Sequence, residues 1–148
     1  MQLTRHTDYA FRLLIDLAGR GDERTQIAQV AQAQAISRTH LMKVVNRLAR
    51  AGIVEATRGR GGGVRLAREP ALINLGEVLR TTEPQCALVE CSDCRLRRRC
   101  GLPAVLDEAG RAFRRTLERY SLADILPQAT TERAGPAKLT GELASLSA

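Results

Sequence analysis

The sequence predicts a mainly α protein: a winged helix-turn-helix with a small β-hairpin wing and a long C-terminal dimerisation helix. Three observations carry that prediction. Apolar residues recur at helical spacing in three successive N-terminal stretches. A glycine-rich segment with arginines then joins two short β-prone runs. Later in the chain an apolar seam repeats every three or four residues. The 148 residues include two Phe, two Tyr and no Trp, so the core must be aliphatic. That length suits one compact domain with an appendage rather than two full domains.

The first helix is read from Tyr9 to Ala18, with Ala10, Leu13, Leu14, Leu17 and Ala18 on one face and Thr4 or Thr7 as its cap. Thr25 opens a short second helix whose inner face is Ile27, Val30 and Ala31. After a break at Gln34-Ala35, Ser37 caps a third helix with a buried stripe of Leu41, Val44, Val45, Leu48 and Ala49, and Gly52 stops it. Two helices joined by a tight turn match the helix-turn-helix pattern.

The polar face of the third helix carries Arg38, Thr39, His40, Lys43, Asn46, Arg47 and Arg50. A recognition helix sets its N-terminal residues against base edges and its later basic residues against phosphates. Base contact is therefore assigned to Arg38, Thr39 and His40, and backbone contact to Lys43, Arg47 and Arg50. For His40 an exposed helix-start histidine without a role is an equal reading.

Ile53 to Ala56 and Val64 to Leu66 read as two strands joined by Thr57-Arg58-Gly59-Arg60-Gly61-Gly62-Gly63. Arginines on a glycine-rich hairpin suit a wing, with Arg58 or Arg60 entering a narrow minor groove. A nucleotide-binding phosphate loop fails on context: no helix follows directly and no Gly-Lys-Ser/Thr ending is present.

Asn74 with Glu77 forms a capping-box-like start to a fourth helix through Val78, Leu79 and Thr82. Pro103 suits the first turn of the long helix, whose seam is Leu102, Leu106, Ala109, Phe113, Leu117 and Tyr120. Such a seam can pack on its own domain or on a second copy, and a homodimer is favoured because one helix-turn-helix reads too few bases to find a site alone. The organisation expected is a DNA-binding domain over 1–83, a cysteine-rich cluster-binding loop over 84–101, the dimerisation helix over 102–126 and a disordered tail over 127–148.

Charge placement points to the partner. The chain carries a net +7, and the stretch from Ile36 to Arg68 holds eight basic residues against Glu55 alone, so it accounts for the whole excess. Segregation of one sign favours a polyanion, here double-stranded DNA. No apolar run approaches the ~20 residues of a membrane span. No signal peptide opens the chain, so a cytoplasmic location is expected.

Four cysteines, Cys86, Cys91, Cys94 and Cys100, fall within fifteen residues as C-x4-C-x2-C-x5-C. Their surroundings are too polar for a packed core. Arg95, Arg97, Arg98 and Arg99 would offset the negative charge of a ligated site. Zinc usually shows paired short spacings, whereas the short pair here is Cys91 and Cys94 alone. A Cys91–Cys94 thiol oxidoreductase lacks its surrounding strand–helix pattern, so no enzyme is expected. Spacing leaves zinc and an iron–sulfur cluster both open.

Several motifs together are similar to one known family. Leu3-Thr4-Arg5-His6-Thr7-Asp8-Tyr9-Ala10, the wing Arg58-Gly59-Arg60-Gly61-Gly62-Gly63, and Leu88-Val89-Glu90-Cys91 through Cys100 resemble the Rrf2 family of bacterial regulators. Arg119 to Leu126 looks like its nitric-oxide-sensing branch. The resemblance implies a dimeric repressor binding an inverted-repeat promoter site. It implies one iron–sulfur cluster per subunit on three cysteines, with 4Fe-4S favoured and 2Fe-2S the alternative. In some members an N-terminal aspartate of the other subunit completes the coordination, and Asp8 stands at that position.

The family's cysteines are usually spread more widely than Cys91 and Cys94 are. Cys94 and Cys100 are therefore the firmer ligands; Cys86 is the alternative to Cys91, which the Leu-Val-Glu-Cys context favours. The branch with a histidine ligand after the last cysteine fits less well, since Gly101-Leu102-Pro103 follows here. Nitric oxide is the signal the resemblance implies. The alternatives are an iron or redox sensor using the same cluster, and a zinc-stapled DNA-binding protein without sensing.

Overall fold

The chain folds around α1 (Arg5–Ala18), α2 (Ile27–Ala33) and α3 (Arg38–Arg50), followed by an antiparallel hairpin of β1 (Val54–Thr57) and β2 (Gly63–Leu66). A 3-10 turn (Pro70–Leu72), α4 (Leu75–Thr82), α5 (Leu102–Leu117) and a second 3-10 turn (Leu122–Ile125) complete it. This computed structural model describes residues 3–59, 61–83, 89, 93–96 and 99–127. Arg60, Cys86, Cys91, Arg97 and Arg98 lie outside the described residues, as does the expected tail from 128 onward.

Aliphatic side chains close the core as the composition requires. Leu13, Leu14 and Leu17 of α1 meet Leu41, Val44 and Leu48 of α3, all 0–1% exposed. Each such side chain contributes roughly 1.5–3 kcal/mol by leaving water. Ile53 and Val64 carry that core into the hairpin, and Ile73 and Val78 carry it toward α4.

Two helix starts and one cap differ from the sequence reading. α1 starts four residues earlier than expected, because Thr4 caps it by accepting from the Thr7 backbone N–H. Thr25 does not open α2. It pairs with Val64 through two 2.9 Å backbone hydrogen bonds, extending the hairpin by one bridge, and α2 begins after Gln26. Ser37 occupies the N-cap position of α3 but its hydroxyl does not cap.

The long helix also stops short of 126, at Leu117. Asn74 Nδ2 donates to the carbonyls of Glu118 and Tyr120, and the Leu75 N–H donates to Tyr120 as well. These bonds satisfy carbonyls that a continuing helix would have used, so the chain leaves the helix there. Ser121 and Asp124 then form a capping box for the second 3-10 turn, and Leu122 enters the core fully buried. The segment after α5 thus docks back on the N-terminal domain.

Asn74 caps α4 as expected, accepting from the N–H groups of Gly76 and Glu77. The Glu77 carboxylate takes Arg68 at 2.8 Å instead of completing the box. Among the described residues no helix is long and apolar enough to cross a membrane.

Candidate nucleic-acid interface and cysteine segment

Burial of Leu41, Val44, Val45 and Leu48 turns the other face of α3 outward. Arg38, Thr39, His40, Lys43, Asn46, Arg47 and Arg50 are all exposed there. A groove between α3 and the wing is lined by Arg38, Met42, Asn46, Arg50, Thr57 and Arg58. On the opposite flank, His6, Lys43, Arg47, Arg50, Arg80 and Thr81 line an open cleft. The structure therefore brings the predicted recognition-helix residues and Arg58 onto one basic surface.

Not every basic residue of the 36–68 stretch is available to a partner. Arg65 pairs with Glu55 at 2.9 Å, and Arg68 with Glu77 at 2.8 Å. Arg24 reaches the same Glu55 at 3.2 Å and donates to the Thr57 hydroxyl at 2.8 Å. The Arg65 hydrogen bond and charge hold the Glu55 carboxyl below its ordinary range. Arg38, Lys43, Arg50 and Arg58 make no ion pair among the described residues. Fewer free cations face outward than the sequence count implied, and they lie where a helix and a wing meet.

Glycine serves the wing in two ways. Gly59 and Gly61 adopt φ of 94° and 75°, a region that other residues rarely enter. Gly63 lies against Thr25 so closely that a Cβ would stand 2.8 Å from the Thr25 carbonyl oxygen. The Gln26 amide ties the hairpin to the start of α2 by donating to the Gly62 carbonyl at 3.1 Å.

His40 does not stand free at the helix start. Its ring stacks on Tyr9 of α1, with centroids 6.5 Å apart and planes at 27°. His6 sits nearby with Nε2 buried and unpartnered among the described residues. Burial and then the Arg47 charge hold it below its ordinary value, against the pull of Glu83.

Arg47 Nε donates to the Thr81 carbonyl at the end of α4. The next two residues bind α1. Thr7 Oγ1 lies 2.9 Å from the Thr82 hydroxyl and 2.8 Å from the Glu83 carboxylate, which also accepts from the Thr4 backbone N–H at 2.7 Å. Burial pushes the Glu83 carboxyl up, but the Thr4 and Thr7 hydrogen bonds outweigh it and leave the group below its ordinary range. The sequence reading passed over this cluster and Arg80. One signal was available: Thr7 shares the apolar face of Ala10, Leu14 and Leu17, and a buried hydroxyl needs a partner.

Cys94 is exposed and Cys100 half-buried, both with free thiols. Cys100 stands one residue before Gly101, the N-cap of α5. Among the described residues no three His, Cys, Asp or Glu side chains gather as a metal site. Two accessible thiols on one short segment are nonetheless the donor chemistry an iron–sulfur cluster takes. Asp8 lies in the first turn of α1, half-exposed and paired with Arg12 at 3.1 Å.

A helix-turn-helix with an outward basic helix, a braced glycine wing and an appended α5 is the architecture of a winged helix-turn-helix DNA-binding transcription regulator. The chain belongs to the Rrf2 family, described as iron-dependent transcriptional regulators, which matches residues 3–128. It is 47% identical over 132 residues to the HTH-type transcriptional regulator NsrR of Bacillus subtilis, covering 85% of this chain and 90% of that protein. The NsrR of Geobacillus kaustophilus is 46% identical over the same shares of the two chains. Among solved structures, CymR (YrzC), the global cysteine regulator of B. subtilis, superposes with a TM-score of 0.64 at 28% identity, covering 84% of this chain and 95% of that one. The T. potens IscR structure has the same fold, with a TM-score of 0.66 at 24% identity over 90% and 94% of the two chains.

Proposed function

We propose that the chain is an iron–sulfur-dependent repressor that senses nitric oxide. A homodimer holds an inverted-repeat promoter site with two copies of the α3–wing surface. The observation that carries this reading is adjacency: the cysteine segment is inserted between α4, which touches the basic face, and α5, which carries an unburied apolar flank. Cys94 and Cys100 are the firmest cluster ligands, with Cys91 or Cys86 as the third and Asp8 of the partner subunit as a fourth. The bound cluster supplies iron that reacts with nitric oxide. Arg38, Thr39 and His40 read bases, Lys43, Arg47 and Arg50 hold phosphates, and Arg58 or Arg60 reaches into the minor groove.

Two cluster states switch transcription only if they bind DNA with different affinity. Gel shifts with cluster-loaded, nitric-oxide-treated and chelated protein test this directly. Tight binding by the loaded form alone is expected, and equal affinity in all three overturns the switch. The family's description as iron-dependent favours one second reading, an iron sensor on the same ligands. Titrating air-free protein with nitric oxide, oxygen and chelators separates the two by which agent acts at the lowest dose. Colourless, zinc-bearing material would replace both with a structural metal.

A further inference from the structure

The last turn of α4 is gripped by two other elements through three consecutive residues. The Thr81 carbonyl accepts from Arg47 of α3, and the Thr82 hydroxyl touches Thr7 of α1 while donating to the Val78 carbonyl at 2.9 Å. Glu83 accepts from Thr4 and Thr7. Thr7 has one hydroxyl proton, which Thr82 and Glu83 share, so a shift of either acceptor changes the bond to the other. Thr7 and Thr82 are 0% and 5% exposed, which leaves solvent little room to replace a lost contact. Glu83 is followed three residues later by Cys86.

We infer that Thr81 to Glu83 form a latch that sets the aim of Arg47 and the seat of the α1 N-terminus according to the state of the cysteine segment. What pulls the latch rests on the iron–sulfur reading above; the latch itself does not. A guanidinium is a planar fork of five donors, and holding Nε on a carbonyl fixes where the other four point. For Arg47 that direction is the cleft shared with Lys43 and Arg50. Hydrogen bonds weaken steeply with misalignment, so a small displacement of Thr81 removes a well-aimed phosphate contact. The route runs within one subunit and needs no movement of α5.

A double-mutant cycle tests the latch on the full chain with duplex operator DNA. Glu83→Ala and Thr7→Val are each expected to weaken binding roughly 3- to 10-fold. With Arg47→Ala already present, either change is expected to have almost no further effect. Both should act equally on matched and mismatched operators, and Thr7→Ser, which restores the hydroxyl, should recover the lost affinity. Losses that simply add to that of Arg47→Ala, or that alter sequence preference, overturn the inference.

A second measurement needs no variant. The Thr4 backbone N–H donates to Glu83, so its hydrogen exchange reports the latch. It is expected to exchange about tenfold faster once iron is chelated from protein purified without air. Equal protection in both states overturns the link to the cysteines. Colourless starting material overturns the iron–sulfur reading, and the Arg47 cycle then decides the latch alone.

Discussion

At the scale of single residues, Arg38 and Arg50 of α3 are both exposed cations but have different work. Arg38 opens the helix beside the wing groove, where a guanidinium can take a guanine edge in two bonds. Arg38→Ala should narrow the gap between cognate and single-mismatch operators by about 1–3 kcal/mol. Arg50 closes the helix between both clefts. Arg50→Ala should weaken every duplex alike and reduce the salt-dependence slope by about one unit. Competition gel shifts across a salt series check both; an unchanged preference in the Arg38 variant would redirect the docking. A different kind of residue sits in the turn between α2 and α3. Ala35 holds φ 52°, a left-handed conformation costing a residue with Cβ roughly 1–2 kcal/mol. Glycine removes that strain but loses about 0.5–1 kcal/mol through its freer unfolded chain. Ala35→Gly should therefore gain between nothing and about 1.5 kcal/mol in thermal unfolding, and a loss would mean the Ala35 methyl packs usefully. The polar face of α3 was legible from spacing alone because a helix fixes which residues share a side. The stacking of His40 on Tyr9 and the Arg47–Thr81 bond were not, since both join elements far apart in the chain.

At the scale of elements, the wing and the segment after α5 show what local sequence signals can and cannot settle. Glycine and arginine between two β-prone runs announced the hairpin, and it is there. That Thr25 adds a bridge to it was hidden, because a threonine before an apolar run looks like a helix cap until its backbone partner is known. The Gly63 contact with that bridge gives a test. Gly63→Ala would press a methyl onto the Thr25 carbonyl, and overpacking of this kind costs typically ~1–3 kcal/mol. The variant should melt earlier and lose wing-dependent affinity, most at sites with A·T-rich flanks. An unperturbed melting point would show that the hairpin slides freely past α2. The end of the long helix was misjudged for a similar reason: the apolar period runs on to Tyr120, but Asn74 captures the carbonyls that period needed. Ser121 then donates to Asp124 through its N–H and hydroxyl, and these bonds lower the Asp124 carboxyl below its ordinary value of 3.8. A carboxyl depressed in the folded state adds stability that is fully present above its unfolded value. That stability is lost as pH falls through the lower, folded value. Asp124→Asn should thus melt below the parent at neutral pH, with the difference closing under acid. A gap that widens on acidification would reverse the assignment.

At the scale of the whole molecule, the question is why one chain leaves so much of α5 uncovered. Gly110 is the one buried residue that the helix has. Leu102 is 52% exposed and Val105 63%, while Leu117 alone of the expected seam packs partly against the core. The seam is real as a pattern, and Leu106 and Phe113 are half-buried, yet of its residues only Leu117 reaches the core. An isolated helix of this length is marginal in water, so most of its order must come from packing. α4 and the segment after Leu117 supply some of that packing at one end. For the rest, the proposed second copy is the economical cover, since a dimer also supplies the second half-site reader that an inverted repeat demands. Placing like charges on the flank should separate the copies without touching the core. Leu102→Glu with Val105→Glu is expected to shift the protein from dimer to monomer in sedimentation while its melting transition stays cooperative. Affinity for a full inverted repeat should then fall toward that for a half-site, because the two readers no longer share one binding event. Binding to an isolated half-site should be unchanged, as α3 and the wing are intact. If the doubly substituted chain still sediments as a dimer, the copies meet on another surface, and the exposed flank of α5 requires a different occupant.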